Sequence, residues 1–413
     1  MRQNAAHWLE LAEKVHDYRR DVLSSLLFGE LQARTAALRQ LLKERADPMK
    51  LKLAVDSLED VLRRSGGTHY PKSAVVENVE FFLVAAIVIL GFRTYFVQPF
   101  KIPTNSMWPT YYGMTPEVFS QPSVEPGYVQ QAARFLVFGA RPKRVVAAAE
   151  GEIYIPLIGN NERVIIPYRN VPGRNWLVFP AMHKEYTLLV GNEPVTVRVP
   201  ADFDFEWTMR DAFFPGARAN HEPAGVDLAQ LLSKQSTELR DGTGRVRFLR
   251  TGRYVKAGER VLAFDILTGD QLFVDRLSYH FTRPSVGQGF VFRTGQIAGI
   301  GQDQYYIKRL VGVPGDKLEI KHYGLFSNGE PIQGAAAFAK NAIRSGDYVG
   351  YRNELGLARG KVMEVPTAKF LALGDNSANS QDGRYWGYVP AKEAIGRPLF
   401  IYYPFTTRWG PAR

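Results

Sequence analysis

The chain has 413 residues, 45% of them hydrophobic and 12% aromatic, and a formal net charge of +11. That length suits two or three domains, and the apolar content is enough to bury a core, which excludes a disordered chain. The basic excess suits nucleic acid or anionic lipid, but there is no lysine tract interleaved with aromatics, and zero cysteines rule out zinc fingers and a disulfide framework.

Residues 1–46 read as helix. Trp8, Leu11, Val15, Tyr18, Val22 and Leu26 recur at steps of three and four, on one stripe. Asp47-Pro48 breaks the pattern. A second stripe, Leu51, Val55, Leu58 and Leu62, runs to Ser65-Gly66-Gly67. The expected object over residues 1–72 is an antiparallel helical hairpin. Its stripes pack on each other or, in the alternative, form a coiled coil with a partner or a second copy.

Residues 73–98 contain the long apolar run, uninterrupted from Phe81 to Phe92. That core is shorter than the roughly 20 residues a span needs. It reaches span length with Glu77 and Glu80 at one interface and Arg93 snorkelling at the other. Apolar residues lie all round it, which separates it from a helix buried on one face. With about seventy residues before it and no small-residue cleavage site after it, it does not read as a signal peptide. Arg63, Arg64 and Lys72 precede it, so the positive-inside rule puts the N-terminus in the cytoplasm and the large remainder outside.

From Ile102 onward the reading is mainly β. Short β-rich runs such as WLVFPAMHKEYTLLVGNEPVTVRVP and GERVLAFDILTGDQLFVDRLSYHF are broken by Gly, Pro and Asn turns. The pattern implies a sandwich or barrel without βαβ units. Residues 112–258 form a β-rich insertion with one short helical patch near its end, in ANHEPAGVDLAQLLSKQSTELRDGTG.

Three stretches carry candidate chemistry. The first is IPTNSMWPT, Ile102 to Thr110, where two prolines stiffen the backbone around Ser106. The second is YYIKRLVGVPGD. On a strand, alternation puts Tyr306, Lys308 and Leu310 on one face and Ile307, Arg309 and Val311 on the other. A lysine on an apolar face loses hydration, its pKa falls from about 10.4, and the neutral amine can take a proton from a serine. The third is GDNSANSQDGRYWGYVP, Gly374 to Pro390, rich in small polar residues. Asp382 and Arg384, two apart, share a face and pair. None of the 7 histidines lies in these stretches, and His280 and His322 read as structural. There is no HExxH or other metal motif, so no cofactor is expected.

Together these stretches resemble the FxIPSGSMxPT, YIKRxVGxPGD and GDNxxxSxDSRxWGxVP boxes of bacterial type I signal peptidase, a membrane-bound Ser-Lys endopeptidase family. GDQLFVDRLSYHF and GQGFVFRTG resemble strands that the family places between the first two boxes. The resemblance covers about Phe81 to Tyr111 and Gly269 to Phe400. It implies a mainly β extracytoplasmic domain, residues 99–111 with 259–413, related to the fold of self-cleaving Ser-Lys repressors. It implies Ser106 as nucleophile and Lys308 as general base, with Thr104 and the Ser106 N–H as the oxyanion hole. Ser380 matches the serine that orients the lysine, Asp375 the first aspartate of the third box, and Asp382 with Arg384 a supporting ion pair. Phe100, Ile102, Met107, Tyr306 and Ile307 match positions lining shallow apolar pockets. The implied partners are signal-peptide-bearing preproteins, the lipid bilayer of the cell (inner) membrane and the protein export machinery, without nucleic acid.

Two positions depart from the boxes. Asn105 replaces a glycine, the best-tolerated substitute if φ there is positive, and Gly383 replaces a serine. The tether from Arg93 to Ser106 is at most about 45 Å, which keeps the nucleophile near the bilayer. The competing reading is a membrane-anchored β-rich scaffold with a degenerate site; the joint presence of Ser106, Lys308 and Ser380 argues against it.

Overall fold

The computed structural model describes residues 1–412 apart from 122–123, 160–163, 176–178, 215–235 and 239–246. The helical patch expected near the end of the insertion lies outside the described residues. The chain divides into two compact units, Met1–Gly91 and Phe92–Arg413.

The first unit holds three helices, α1 (Arg2–Arg19), α2 (Ser25–Lys43) and α3 (Pro48–Ser65), and most of α4 (Ala74–Tyr95). The expected single helix over 1–46 is two, so the bundle has three members where a hairpin was expected. The break has a local cause. Ser24 is extended, and its Oγ accepts the Leu27 N–H, a bond that competes with continuing the helix. The first stripe therefore fails halfway: Val15 is buried, whereas Tyr18, Val22 and Leu26 are exposed. The second holds, because Asp47 caps α3, Pro48 sits in its first turn, and Leu51, Val55, Leu58 and Leu62 all face the bundle core.

Helix α4 is 22 residues long, apolar on every side, and buries none of its length; it is long and apolar enough to cross a membrane. It stops at Tyr95, short of the expected 98, because Pro99 cannot sit in a helix and Val97 already begins a strand.

The second unit is mainly β. Strand β1 (Val97–Lys101) enters it, followed by the loop carrying Ser106, β2 (Thr115–Val118), helix α5 (Tyr128–Phe138) and β3 (Arg141–Val146). Next come β4 (Gly151–Gly159), β5 (Val164–Ile165), β6 (Tyr168–Asn175), β7 (Phe179–Val190), β8 (Glu193–Pro200), helix α6 (Phe205–Phe213), β9 (Ser236–Glu238) and β10 (Arg247–Val255). These strands form a sheet ordered β6-β7-β4-β10-β9, with β5 on β4 and β8 on β7. Alternation is clear in β8, where Val195, Val197 and Val199 point inward. Strand β11 (Arg260–Leu267) pairs with β2 and β3, and its Val261, Leu262, Phe264 and Ile266 join the core of the preceding stretch.

The site is carried by an eight-stranded sheet. Its members are β1, β12 (Gln271–Asp275), β13 (Gly289–Arg293), β14 (Tyr305–Gly312), β19 (Lys369–Leu373), β20 (Val389–Pro390), β21 (Ala394–Tyr403) and β22 (Gly410–Pro411). The order is β1-β12-β21-β13-β14-β19-β20, with β22 on β21. A smaller sheet, β15 (Lys317–Lys321), β16 (Gly324–Ser327), β17 (Glu330–Pro331) and β18 (Met363–Glu364), lies between β14 and β19 in sequence. Ser106 and Lys308, 202 residues apart, are brought together because β1 and β14 belong to one sheet and the loop after β1 turns back over it.

Candidate active site

The Ser106 loop is held by its own turns and by two asparagines. The Ile102 N–H bonds to the Asp270 carbonyl at 2.9 Å, and the Trp108 N–H to that of Asn105 at 3.1 Å. Asn105 is not at positive φ, so the strain expected there is absent. Its side chain acts as a short strand instead. Oδ1 accepts the Gly113 N–H at 2.9 Å, and Nδ2 donates to the Met114 carbonyl at 2.8 Å. A glycine would forfeit both bonds. From the other side, Asn376 donates through Nδ2 to the Asn105 carbonyl at 3.0 Å and through its backbone N–H to the Ser106 carbonyl at 3.1 Å. In the sequence the Asp375-Asn376 pair reads as a turn with side-chain to backbone hydrogen bonds, with no sign that Asn376 reaches the Ser106 loop.

Lys308 Nζ lies 2.6 Å from Ser106 Oγ, and both residues are buried, at 5% and 8% exposure. Register places Lys308 opposite Phe290 on β13, and the amine sits 5.4 Å from the Tyr306 ring centre. Burial pulls its pKa down to about 8; Asp382 and Asp375, acting from a distance, pull weakly the other way.

Arg309, on the opposite face of β14, is equally buried. It donates to Asp375 through Nε at 2.9 Å and Nη2 at 2.6 Å, and to the Gly287 carbonyl at 2.7 Å. Asp375 also accepts the Thr110 hydroxyl at 2.5 Å. The pair therefore joins the strand of Lys308 to the end of the Ser106 loop. No role for Arg309 is legible in the sequence, because its carboxylate partner is 66 residues away.

The pairing of Asp382 with Arg384 is present at 2.8 and 3.0 Å, both residues buried. Asp382 accepts the Gly374 N–H at 3.0 Å, and Arg384 Nη2 donates to the carbonyls of Ser377 at 2.7 Å and Ser380 at 3.1 Å. This fork shapes the turn bearing Ser380.

Ser380 itself differs from expectation. It is 6% exposed beside the dyad, but among the described residues its Oγ has no hydrogen-bonding partner, and the bond expected to Lys308 is not formed. Its side chain lies against Gly374, where an added Cβ would fall 2.2 Å from Ser380 Oγ and 2.5 Å from the Ser106 carbonyl. At Gly383 a Cβ would fall 2.6 Å from Leu371 Cδ1 and 3.0 Å from the Ala372 carbonyl, so the serine of the resembled box would require Leu371 to shift.

The pocket residues divide. Ile102 and Met107 are 3% and 0% exposed and belong to a buried core cluster, so neither presents a surface to solvent. Phe100 and Ile307 are half-buried on that same cluster, whereas Tyr306 packs in the cluster of Phe290 and Phe292 on the other side of the strand. Thr104, two residues before Ser106 in the loop, is exposed. Among the described residues no cluster of acidic and histidine side chains could hold a metal.

Residues 262–403 match the family model described as signal peptidase, peptidase S26. The chain is 30% identical over 166 residues to a probable signal peptidase I-1 of a Synechocystis species, covering 40% of this chain and 76% of that protein. The chain belongs to the signal peptidase I family. It is 29% identical over 160 residues to signal peptidase I of Leptolyngbya laminosa, covering 38% of this chain and 70% of the relative. Signal peptidase IB of Staphylococcus aureus is 29% identical over 141 residues, with 33% and 71% covered. A crystal structure of a signal peptidase I from Enterococcus faecalis overlaps 28% of this chain at 24% identity with a TM-score of 0.22, too slight to bear on the fold. As a signal peptidase I, the protein is a serine endopeptidase, and with α4 it is a membrane-anchored one. Lys308, Arg309, Asp375, Ser380, Asp382 and Arg384 fall inside the matched stretch; Ser106 precedes it.

Proposed function

We propose that this signal peptidase I removes N-terminal signal peptides from exported preproteins through a Ser106–Lys308 dyad. The observation carrying this reading is the 2.6 Å contact between Nζ and Oγ at an amine whose pKa is pulled down to about 8. With that pKa roughly a tenth of the amine is neutral at pH 7, against less than a thousandth for an exposed lysine. In the neutral form the Ser106 hydroxyl donates to the amine lone pair. Oγ attacks the scissile carbonyl as its proton passes to Nζ, and the ammonium then protonates the leaving amine. The acyl-enzyme is released by water deprotonated at the same nitrogen. The oxyanion is met by the Ser106 N–H and the Thr104 hydroxyl, each worth on the order of 3 kcal/mol. Ser380, its Oγ uncommitted, receives an ammonium N–H after proton transfer. Asp375 and the Asp382–Arg384 pair keep the two strands and the turn in register. Phe100 and Ile307 bound a shallow apolar pocket backed by Ile102 and Met107, which admits small side chains.

In this reading α4 crosses the cell (inner) membrane once, with the basic residues Arg63, Arg64 and Lys72 on the cytoplasmic side and the β-rich unit outside. The substrate is then a membrane-embedded preprotein delivered by the export machinery and cut just beyond its apolar segment. The test is cleavage of a purified preprotein in detergent micelles, followed by sequencing of the product's new N-terminus. Wild type yields one product beginning after a small residue, and Ser106→Ala and Lys308→Ala yield none. Cleavage that persists in both variants would refute the dyad.

A further inference from the structure

Helix α5 turns its apolar side outward. Tyr128 is 91% exposed, Val129 85% and Leu136 69%, and no residue of the helix is buried. Its one charged residue, Arg134, points the other way, donating to Glu117 at 2.5 Å and Asp265 at 3.2 Å. Arg134 packs inward together with the half-buried Val137 and Phe138, while Tyr128, Val129, Ala132, Ala133 and Leu136 are left out as an apolar strip, which a helix on a soluble domain would ordinarily bury. The arrangement is firmly held. The helix ends at Gly139 with φ 61°, and Tyr403 Oη donates to the carbonyls of Phe135 and Leu136, both at 3.2 Å. The Phe405 N–H bonds to the Val137 carbonyl at 3.1 Å, which sets the exposed Phe405 beside the helix end. Cations follow directly. Arg141 and Lys143 open β3, and burial together with the charge of Arg141 lowers the pKa of both Lys101 and Lys143, with Asp202 the carboxylate near Lys101.

We propose that α5, with Phe405, is an interfacial helix that lies in the surface of an anionic phospholipid bilayer. An apolar helix face without a carboxylate, edged by lysine and arginine, is the composition such surfaces bind. The inference rests on the reading of α4 as a membrane span. From Tyr95 to Lys101 the chain extends at most about 20 Å, so this edge of the β-rich unit stays within reach of lipid. Seated there, α5 fixes the height of Ser106 over the bilayer, where a membrane-embedded substrate presents its cleavage site.

The full chain has no cysteine, so single labels are clean. Val129→Cys, Leu136→Cys, Ile87→Cys in α4 and Ile343→Cys, an exposed apolar site elsewhere, each carry a fluorophore. The protein is reconstituted in phosphatidylcholine vesicles with or without phosphatidylglycerol, with nitroxide on the lipid chains. Labels at Ile87, Val129 and Leu136 are expected to be quenched at least about twofold more than at Ile343, the α5 labels more strongly with phosphatidylglycerol. Quenching at Ile87 with α5 labels resembling Ile343 would overturn the interfacial helix alone. No quenching at Ile87 would overturn the span and the inference with it. Concentration-dependent shielding of α5 labels without lipid quenching would assign the face to a second copy and overturn the proposal. As a functional arm, Leu136→Asp should slow preprotein cleavage in vesicles and leave it unchanged in micelles; an equal rate in both settings would also overturn it.

Discussion

The two faces of β14 present the same problem with opposite solutions. Lys308 and Arg309 are sequence neighbours, and both are nearly sealed from water, at 5% and 2% exposure. Arg309 meets a carboxylate through a two-pronged contact with Asp375, which outweighs the penalty of burial and raises its pKa. Lys308 meets a hydroxyl, and its burial is offset only in part, by Asp382 and Asp375, neither of them in contact with it. Burial alone therefore does not make a base. Burial without a carboxylate in contact is what lowers the Lys308 pKa, and in the proposed mechanism it makes this lysine the base while the paired face supplies rigidity.

The largest effect that sharpens this contrast is expected from Lys308→Met, which should lower turnover about 10⁴-fold or more. The same change should stabilise the protein near neutral pH. Because the folded-state pKa of Lys308 lies below its unfolded value of 10.5, the folded protein bears a cost below pH 8 that fades as pH rises through 10.5. The cost is about 3 kcal/mol. Denaturant unfolding at pH 7 and at pH 10 should show the variant's gain shrinking with pH; a gain independent of pH would trace it to packing.

Asp375→Asn attacks the opposite face and strands Arg309 without its counter-ion. It should cost about 3–5 kcal/mol in unfolding free energy. It also removes a charge that raises the Lys308 pKa, so the rate–pH midpoint should move to lower pH. A mild stability loss with an unmoved midpoint would break the proposed division of labour. Thr104→Val should lower kcat on the order of 100-fold with little change in KM; an unchanged kcat would remove Thr104 from the oxyanion site. The smallest effect is expected at Gly383→Ser, where the added side chain meets Leu371. It should lose about 1–3 kcal/mol without any gain in rate.

Much of this arrangement was legible in the sequence. Strand alternation placed Lys308 and Arg309 on opposite faces, and the apolar run gave α4 to within a few residues. What the sequence withheld was long-range. Nothing local shows that Arg309 finds Asp375, or that Asn376 reaches back to the carbonyls on both sides of the Asn105–Ser106 peptide bond. Nor does anything local show that Ser380 Oγ lies against Gly374 without a hydrogen-bonding partner among the described residues. In the first unit, a single serine cap outweighed a helical period that continued across it. Helix α5 was also unread, because residues 112–258 read as β-rich, with helix expected only near their end.

The central claim is that Lys308 is a base because it is buried beside a hydroxyl alone. The most direct test is the titration of its Cε resonance in the full-length protein in micelles, with lysine labelled at that carbon and the signal assigned by its loss in Lys308→Met. A midpoint near 8 is predicted. A midpoint near 10.5, that of an ordinary lysine, would contradict it.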